Sequence, residues 1–232
     1  MANEPEKLTI AVGDESVSGF VFLAGPKKRL GSTYLFAHGA GANQESGFMR
    51  LFAAGLADRG MDVMTFNFLY MERKRSAPDP KAKLENCFRA AIDTALAHKK
   101  LKQNRLFIGG KSMGGRIGSQ VAAAACEAND PIAAKIAGLV FLGYPLHPPG
   151  NPSKLRVEHL PSIKMPLLFI QGTRDSLGTP DEIEPHLENL SARIHSIAGG
   201  DHSFKAPKKF GPTQDEIFAR AMDEIISWSE NL

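Results

Sequence analysis

Ser112, Asp175 and His202 supply the three side-chain types that together activate a hydroxyl for attack on a carbonyl. A serine hydroxyl is a poor nucleophile until a positioned imidazole accepts its proton. A carboxylate behind the imidazole fixes its tautomer and stabilises the imidazolium as it forms. Ser112 lies in Gly110-Lys-Ser-Met-Gly114, between the apolar run Leu106–Ile108, which reads as a buried strand, and Gly114–Cys126, which reads as a helix with a small-residue face. Gly-x-Ser-x-Gly at a strand-to-helix turn is the pattern of a nucleophile elbow, a turn so sharp that the serine takes a strained backbone conformation. Glycine two positions to either side answers a steric need, because strand and helix backbones nearly touch there. The serine also falls at the helix N-terminus, whose partial positive charge favours developing negative charge.

The same letters admit two cofactor readings, and both fail. Gly-Lys-Ser would need a further glycine at the position of Arg105 to form a phosphate-binding loop. His38-Gly-Ala-Gly-Ala42 would need Gly or Ala where Gln44 stands to form a dinucleotide loop, and no acid ends the next strand. Neither a cofactor nor a metal is expected. The tetrahedral intermediate of acyl transfer does need backbone donors aimed at its oxyanion. Met113, after the serine, is one; Gly39 and Ala40, in the glycine-rich loop, are the candidates for the other. His38 reads as a structural hydrogen-bonder of that loop.

The elements that must hold these residues alternate in type. Leu8–Val12 and Val17–Leu23 flank Gly13-Asp14-Glu15 and read as an antiparallel hairpin. Thr33–Ala37 is wholly apolar or small, as in a strand buried inside a parallel sheet. A helix with Phe48, Leu51, Phe52 and Leu56 on one face follows, ended by Gly60, and Met61–Phe66 is the next strand. A loop over 67–80 leads to an amphipathic helix carrying Leu84, Cys87, Phe88, Ala91, Ile92, Ala95 and Leu96. Beyond the serine turn come strands at Ala137–Leu142, Pro166–Ile170 and Ala192–Ile197, a helix over Asp181–Asn189, and a C-terminal helix. Strands alternating with helices after a hairpin predict an α/β fold. Its sheet is mostly parallel, has an antiparallel N-terminal edge, and is covered by helices on both faces. One domain is expected over 1–232, with a small cap insertion at about 143–164.

Ligands of such a sheet bind beyond the carboxyl ends of its strands. Ser112, Asp175 and His202 each follow a strand, at the turn after 106–108, in the loop after 166–170 and in Ala198-Gly-Gly-Asp-His202. Asp181 and Asp201 are alternative acids. His147 precedes the acid, His186 and His195 lie within predicted elements, and His159 lies in an expected cap helix.

The motifs His-Gly-Ala-Gly-Ala, Gly-Lys-Ser-Met-Gly-Gly, Gln-Gly-Thr-Arg-Asp and Gly-Gly-Asp-His-Ser resemble those of small serine hydrolases of the α/β-hydrolase superfamily. The likeness is strongest to compact dienelactone-hydrolase-like members. Ser–Asp–His is also that superfamily's order along the chain. The resemblance implies an α/β-hydrolase fold and a triad of Ser112, Asp175 and His202. Dienelactone hydrolases proper use a cysteine where Ser112 stands, so their lactone substrate does not transfer simply.

The chain has 232 residues, 43% apolar and 23% charged, ordinary for a globular protein, and a formal charge of +3 that gives no sign of nucleic-acid binding. Met1–Lys7 shows no secretory pattern, no run approaches the roughly 18 apolar residues of a membrane span, and Cys87 and Cys126 form no ligand pattern. A cytoplasmic setting is expected; oligomeric state is open. Phe68, Tyr70, Tyr144 and Phe48 are expected to wall a substrate pocket beneath a short, Pro-rich cap. Arg73–Arg75 reads as a solvated loop or, second, as an attractor of carboxylate or phosphate. The leading expectation is a carboxylic ester or thioester hydrolase acting on a small-molecule or acyl-carrying substrate. The rivals are a non-catalytic interaction module on the same fold, and acyl transfer or perhydrolysis on the same triad.

Overall fold

The computed structural model describes residues 4–232; the first residues of the Met1–Lys7 stretch lie outside it. The strands are β1 (Glu6–Val12), β2 (Glu15–Phe22), β3 (Ser32–Ala37), β4 (Asp62–Phe66), β5 (Arg105–Lys111), β6 (Ile136–Leu142), β7 (Leu167–Gly172) and β8 (Ala192–Ile197). The helices are α1 (Gly47–Asp58), α2 (Leu69–Glu72), α3 (Lys81–Ala97), α4 (Met113–Glu127), α5 (Pro180–Ile183) and α6 (Gln214–Glu230). The eight strands form one sheet in the order β1-β2-β4-β3-β5-β6-β7-β8. β1 pairs with β2, and β2 with β4, antiparallel; every other pairing is parallel.

Side chains alternate across the sheet because successive residues of a strand point to opposite faces. Leu106 and Ile108 of β5, Leu139 and Phe141 of β6, and Leu167 and Phe169 of β7 pack with α3 and α4. Phe107, Val140 and Leu142, and Leu168 and Ile170 pack with α1 and α6 on the other face. These strands are apolar throughout because both faces are buried, which is why each reads as a continuous run.

Four local expectations need correction. β5 does not stop at Ile108: Gly109 and Gly110 continue the ladder, paired with Val140 and Phe141 of β6. Glycine there serves close packing rather than a break. The helix expected over Asp181–Asn189 is α5 alone, capped by a reciprocal Thr179–Glu182 box and followed by a 3₁₀ turn at Glu184–His186. Pro185 cannot donate to a helical ladder and crowds the preceding turn. The 67–80 loop contains the short helix α2. The 143–164 span carries no α-helix, only a 3₁₀ turn at Leu160–Ser162. It is fastened to α4, where His159 Nε2 lies 2.6 Å from Ser119 Oγ, and to itself, where Tyr144 Oη donates to Arg156 O at 2.7 Å. Among the described residues no helix is long and apolar enough to cross a membrane.

Candidate active site

The turn between β5 and α4 holds Ser112 at φ 50° and ψ −117°, in the left-handed half of backbone space that a side chain disfavours. Such a residue costs on the order of 1–3 kcal/mol and persists only where its surroundings over-determine it. Here the Ser112 N–H donates to Leu142 O at 3.1 Å, fixing the turn to β6. A Cβ on Gly110 would come within 2.3 Å of Ala37 O, and one on Gly114 within 2.4 Å of the same atom. The glycines flanking the serine are therefore required by the neighbouring strand β3.

Ser112 Oγ lies 2.8 Å from His202 Nε2, and His202 Nδ1 lies 2.8 Å from Asp175 Oδ2. Asp175 also accepts from Leu177 N–H at Oδ1 (2.9 Å) and from Gln171 Nε2 at Oδ2 (3.0 Å). A carboxylate so surrounded by donors acts as acceptor only, so His202 Nδ1 carries the proton and Nε2 is free to accept from the serine. The loops after β7 and β8 are tied together by Arg174 N–H to Gly200 O (2.9 Å) and Gly199 N–H to Thr173 Oγ1 (2.8 Å).

The alternative acids occupy other roles. Asp201 Oδ1 accepts from Ser203 and Lys205 N–H at 2.8 and 2.9 Å, shaping the loop that presents His202. Asp181 is exposed in the first turn of α5. His195 sits by Glu224, and His147 Nδ1 by Pro148 O.

His38 is buried and binds two backbone groups: Nδ1 lies 2.9 Å from Gly39 O, and Nε2 accepts from Phe68 N–H at 3.1 Å. Burial lowers its pKa to about 4, keeping the ring neutral as that pairing demands. It thereby ties the loop after β3 to the loop after β4. A Cβ on Gly39 would stand 3.4 Å from Ser112 Cβ, so the 39–41 loop runs directly beside the serine. Met113 opens α4, where the first amides have no intrahelical acceptor. Met113, Gly39 and Ala40 all border the space in front of Ser112.

Two clefts meet at Ser112 and Ala40. The first, about 450 Å³, is walled by Phe48, Met49, Leu51 and Phe218, with Lys111, His202 and Lys205 beside them. Leu51, expected on a buried face, is 40% exposed and lines this cleft. The second, about 410 Å³, runs between α4 and the 143–164 segment past Met113, Arg116, Pro145 and Arg156. Three of the four expected pocket aromatics are not here. Phe68, Tyr70 and Tyr144 are buried and line neither cleft. α2 turns Phe68 and Tyr70 inward, against His38 at ring-centroid distances of 5.1 and 6.0 Å. Tyr144 packs on Phe141 and Phe169 of the core. The basic loop is likewise occupied: Arg73 pairs with Glu15 and Arg75 with Asp79.

Two residues of the site were not singled out from sequence. Gln171 Oε1 accepts from Tyr144 N–H at 2.7 Å, while its Nε2 donates to Asp175 and to Gly178 O, so this amide locks the carboxylate in place. Lys111 Nζ donates to His202 O at 2.6 Å and lies 5.8 and 5.6 Å from the Phe48 and Phe204 ring centres. Burial lowers its pKa to about 8, against the opposing pull of Asp175 and Asp201. Both fall inside the quoted motifs, Gln-Gly-Thr-Arg-Asp and Gly-Lys-Ser-Met-Gly-Gly, but only the folded loops show what they hold.

Residues 31–230 match the family model for an alpha/beta hydrolase domain. The whole chain superposes on solved structures at low identity. A dienelactone hydrolase from Anabaena variabilis is 22% identical with a TM-score of 0.70, covering 99% of this chain and 97% of that one. A lidless α/β serine hydrolase from Xanthomonas campestris is 17% identical at 0.67, covering 98% and 96%. An esterase from Pyrococcus furiosus is 18% identical at 0.72, covering 97% and 92%. At these identities the likeness is one of fold, and the family match carries the assignment. The chain belongs to the α/β-hydrolase domain family.

Proposed function

We propose that this protein is a serine hydrolase that cleaves carboxylic esters or thioesters through an acyl-enzyme on Ser112. The observation that carries this reading is the unbroken hydrogen-bonded series from Ser112 Oγ to His202 to the buried Asp175, at 2.8 and 2.8 Å. In the reaction the Ser112 hydroxyl passes its proton to His202 Nε2 as Oγ attacks the carbonyl carbon. The oxyanion is met by Met113 N–H and by an amide of the 39–40 loop. His202 then protonates the departing alcohol or thiol, and the same nitrogen later activates the water that frees Ser112. Asp175 stabilises the imidazolium in both halves.

The two clefts beside Ser112 suit the same chemistry. The Phe48 cleft is lined by His202, the group that protonates the leaving atom, so the departing half lies there. The Met113 side of the serine takes the acyl half. The short 143–164 segment leaves the approach open to small soluble esters, or to acyl groups carried on a larger partner. The test is turnover of p-nitrophenyl acetate. Ser112→Ala should lose about 10⁴-fold or more in kcat if the three residues act as a unit. A variant that turns over at the native rate contradicts the reading.

A further inference from the structure

The cleft between α4 and the 143–164 segment holds two cations that the serine chemistry does not use. Arg116, one turn into α4 from Ser112, has its Nε shielded from solvent without a partner, and its Nη1 reaches Gln120 Oε1 only at 3.5 Å. Arg156 comes from the opposite wall, where its Nη1 reaches Pro145 O only at 3.5 Å. Among the described residues neither has a carboxylate within 4 Å. The other cations beside the cleft are matched: Lys81 lies 3.5 Å from Glu85, and Arg75 pairs with Asp79. Burial, and then the neighbouring Arg156, lower the Arg116 pKa, so the pair is held at a cost that a bound anion would relieve.

We propose that Arg116 and Arg156 form an anion subsite for an oxyanionic group at the far end of the substrate's acyl chain. This rests on the hydrolase reading above, which puts the acyl half on this side of Ser112. Guanidinium forks pair with the planar edges of carboxylate and phosphate, often through two bonds at once. Two unmatched cations balance a dianion better than a monoanion, and a phosphate monoester carries about −1.5 to −2 at neutral pH. A phosphate or phosphonate terminus is therefore favoured over a carboxylate. The cleft, about 410 Å³, suits a short acyl group. Asp79 lines it too, with Oδ2 buried and without a donor, and can accept from a hydroxyl on the same acyl chain.

The test uses p-nitrophenyl esters of butanoate, succinate and 3-phosphonopropanoate, which differ only at the distal group. Calorimetry with 3-phosphonopropanoate and butanoate reads binding without turnover. The expected result is a kcat/KM at least tenfold higher for the phosphono ester than for the butanoyl ester, with the succinyl ester between. That ratio should fall about tenfold in Arg156→Gln and in Arg116→Gln. Arg156 lies on the outer segment, so its variant decides the matter if Arg116→Gln does not fold. A succinyl ester preferred over the phosphono ester overturns the dianion assignment. Equal rates for all three esters, with no measurable binding of 3-phosphonopropanoate to the folded protein, overturn the subsite. Failure of Ser112 to react with a fluorophosphonate would instead sink the hydrolase reading, and the calorimetry would still decide the anion site.

Discussion

Gly114, in the first turn of α4, lies so close to Ala37 at the end of β3 that a Cβ on it would stand 2.4 Å from Ala37 O and 2.7 Å from His38 O. Both neighbours are backbone, so neither can swing aside as a side chain would. The strand that carries the 39–41 loop and the helix that carries Ser112 are thus packed main chain against main chain. That contact sets how closely the 39–41 loop runs beside Ser112.

Gly114→Ala should therefore cost stability and activity together. Overpacking a tight contact costs about 1–3 kcal/mol. Relief of the clash pushes β3 and its loop away from Ser112. The denaturation midpoint and ester turnover should both fall; unchanged values for both would mean that the helix accommodates the methyl elsewhere.

Lys111 gives a pH-dependent expectation. Its pKa in the fold is about 8, against 10.5 ordinarily, because burial disfavours its charge. Between those two values the unfolded chain holds more protons than the folded one. Stability from this group accordingly rises as pH climbs from about 8 towards 10.5. Urea midpoints of the native protein and of Lys111→Met, measured from pH 7.5 to 10, should show the native protein gaining on the variant over that window. A constant difference would mean that Lys111 titrates normally.

Much of this was legible in the sequence because the physics is local. A strand buried on both faces must be apolar at every position, so β3 and β6 stand out as runs. The serine turn is legible because its glycines are demanded by backbone contact, Asp175 because it follows such a strand, β7, and His202 because it lies in the loop after the next strand, the half-exposed edge strand β8. The pocket was not legible. Phe68 and Tyr70 occupy a segment read as a loop, and a four-residue helix is too short to show a period that would mark its inward face. Gly109 and Gly110 look like a strand's end, yet a β-ladder needs only backbone, and a Cβ on Gly109 would strike Val140 O of β6 and one on Gly110 would strike Ala37 O of β3. The pairing of Arg73 with Glu15, and the unpaired state of Arg116 and Arg156, depend on contacts across the fold that residue spacing does not encode.

The most direct measurement is the intact mass of the folded protein after incubation with a fluorophosphonate, with Ser112→Ala alongside. An activated serine predicts one covalent adduct on the native protein and none on the variant, and ester turnover lost in parallel. An unlabelled native protein, or equal labelling of both, would contradict Ser112 as the nucleophile.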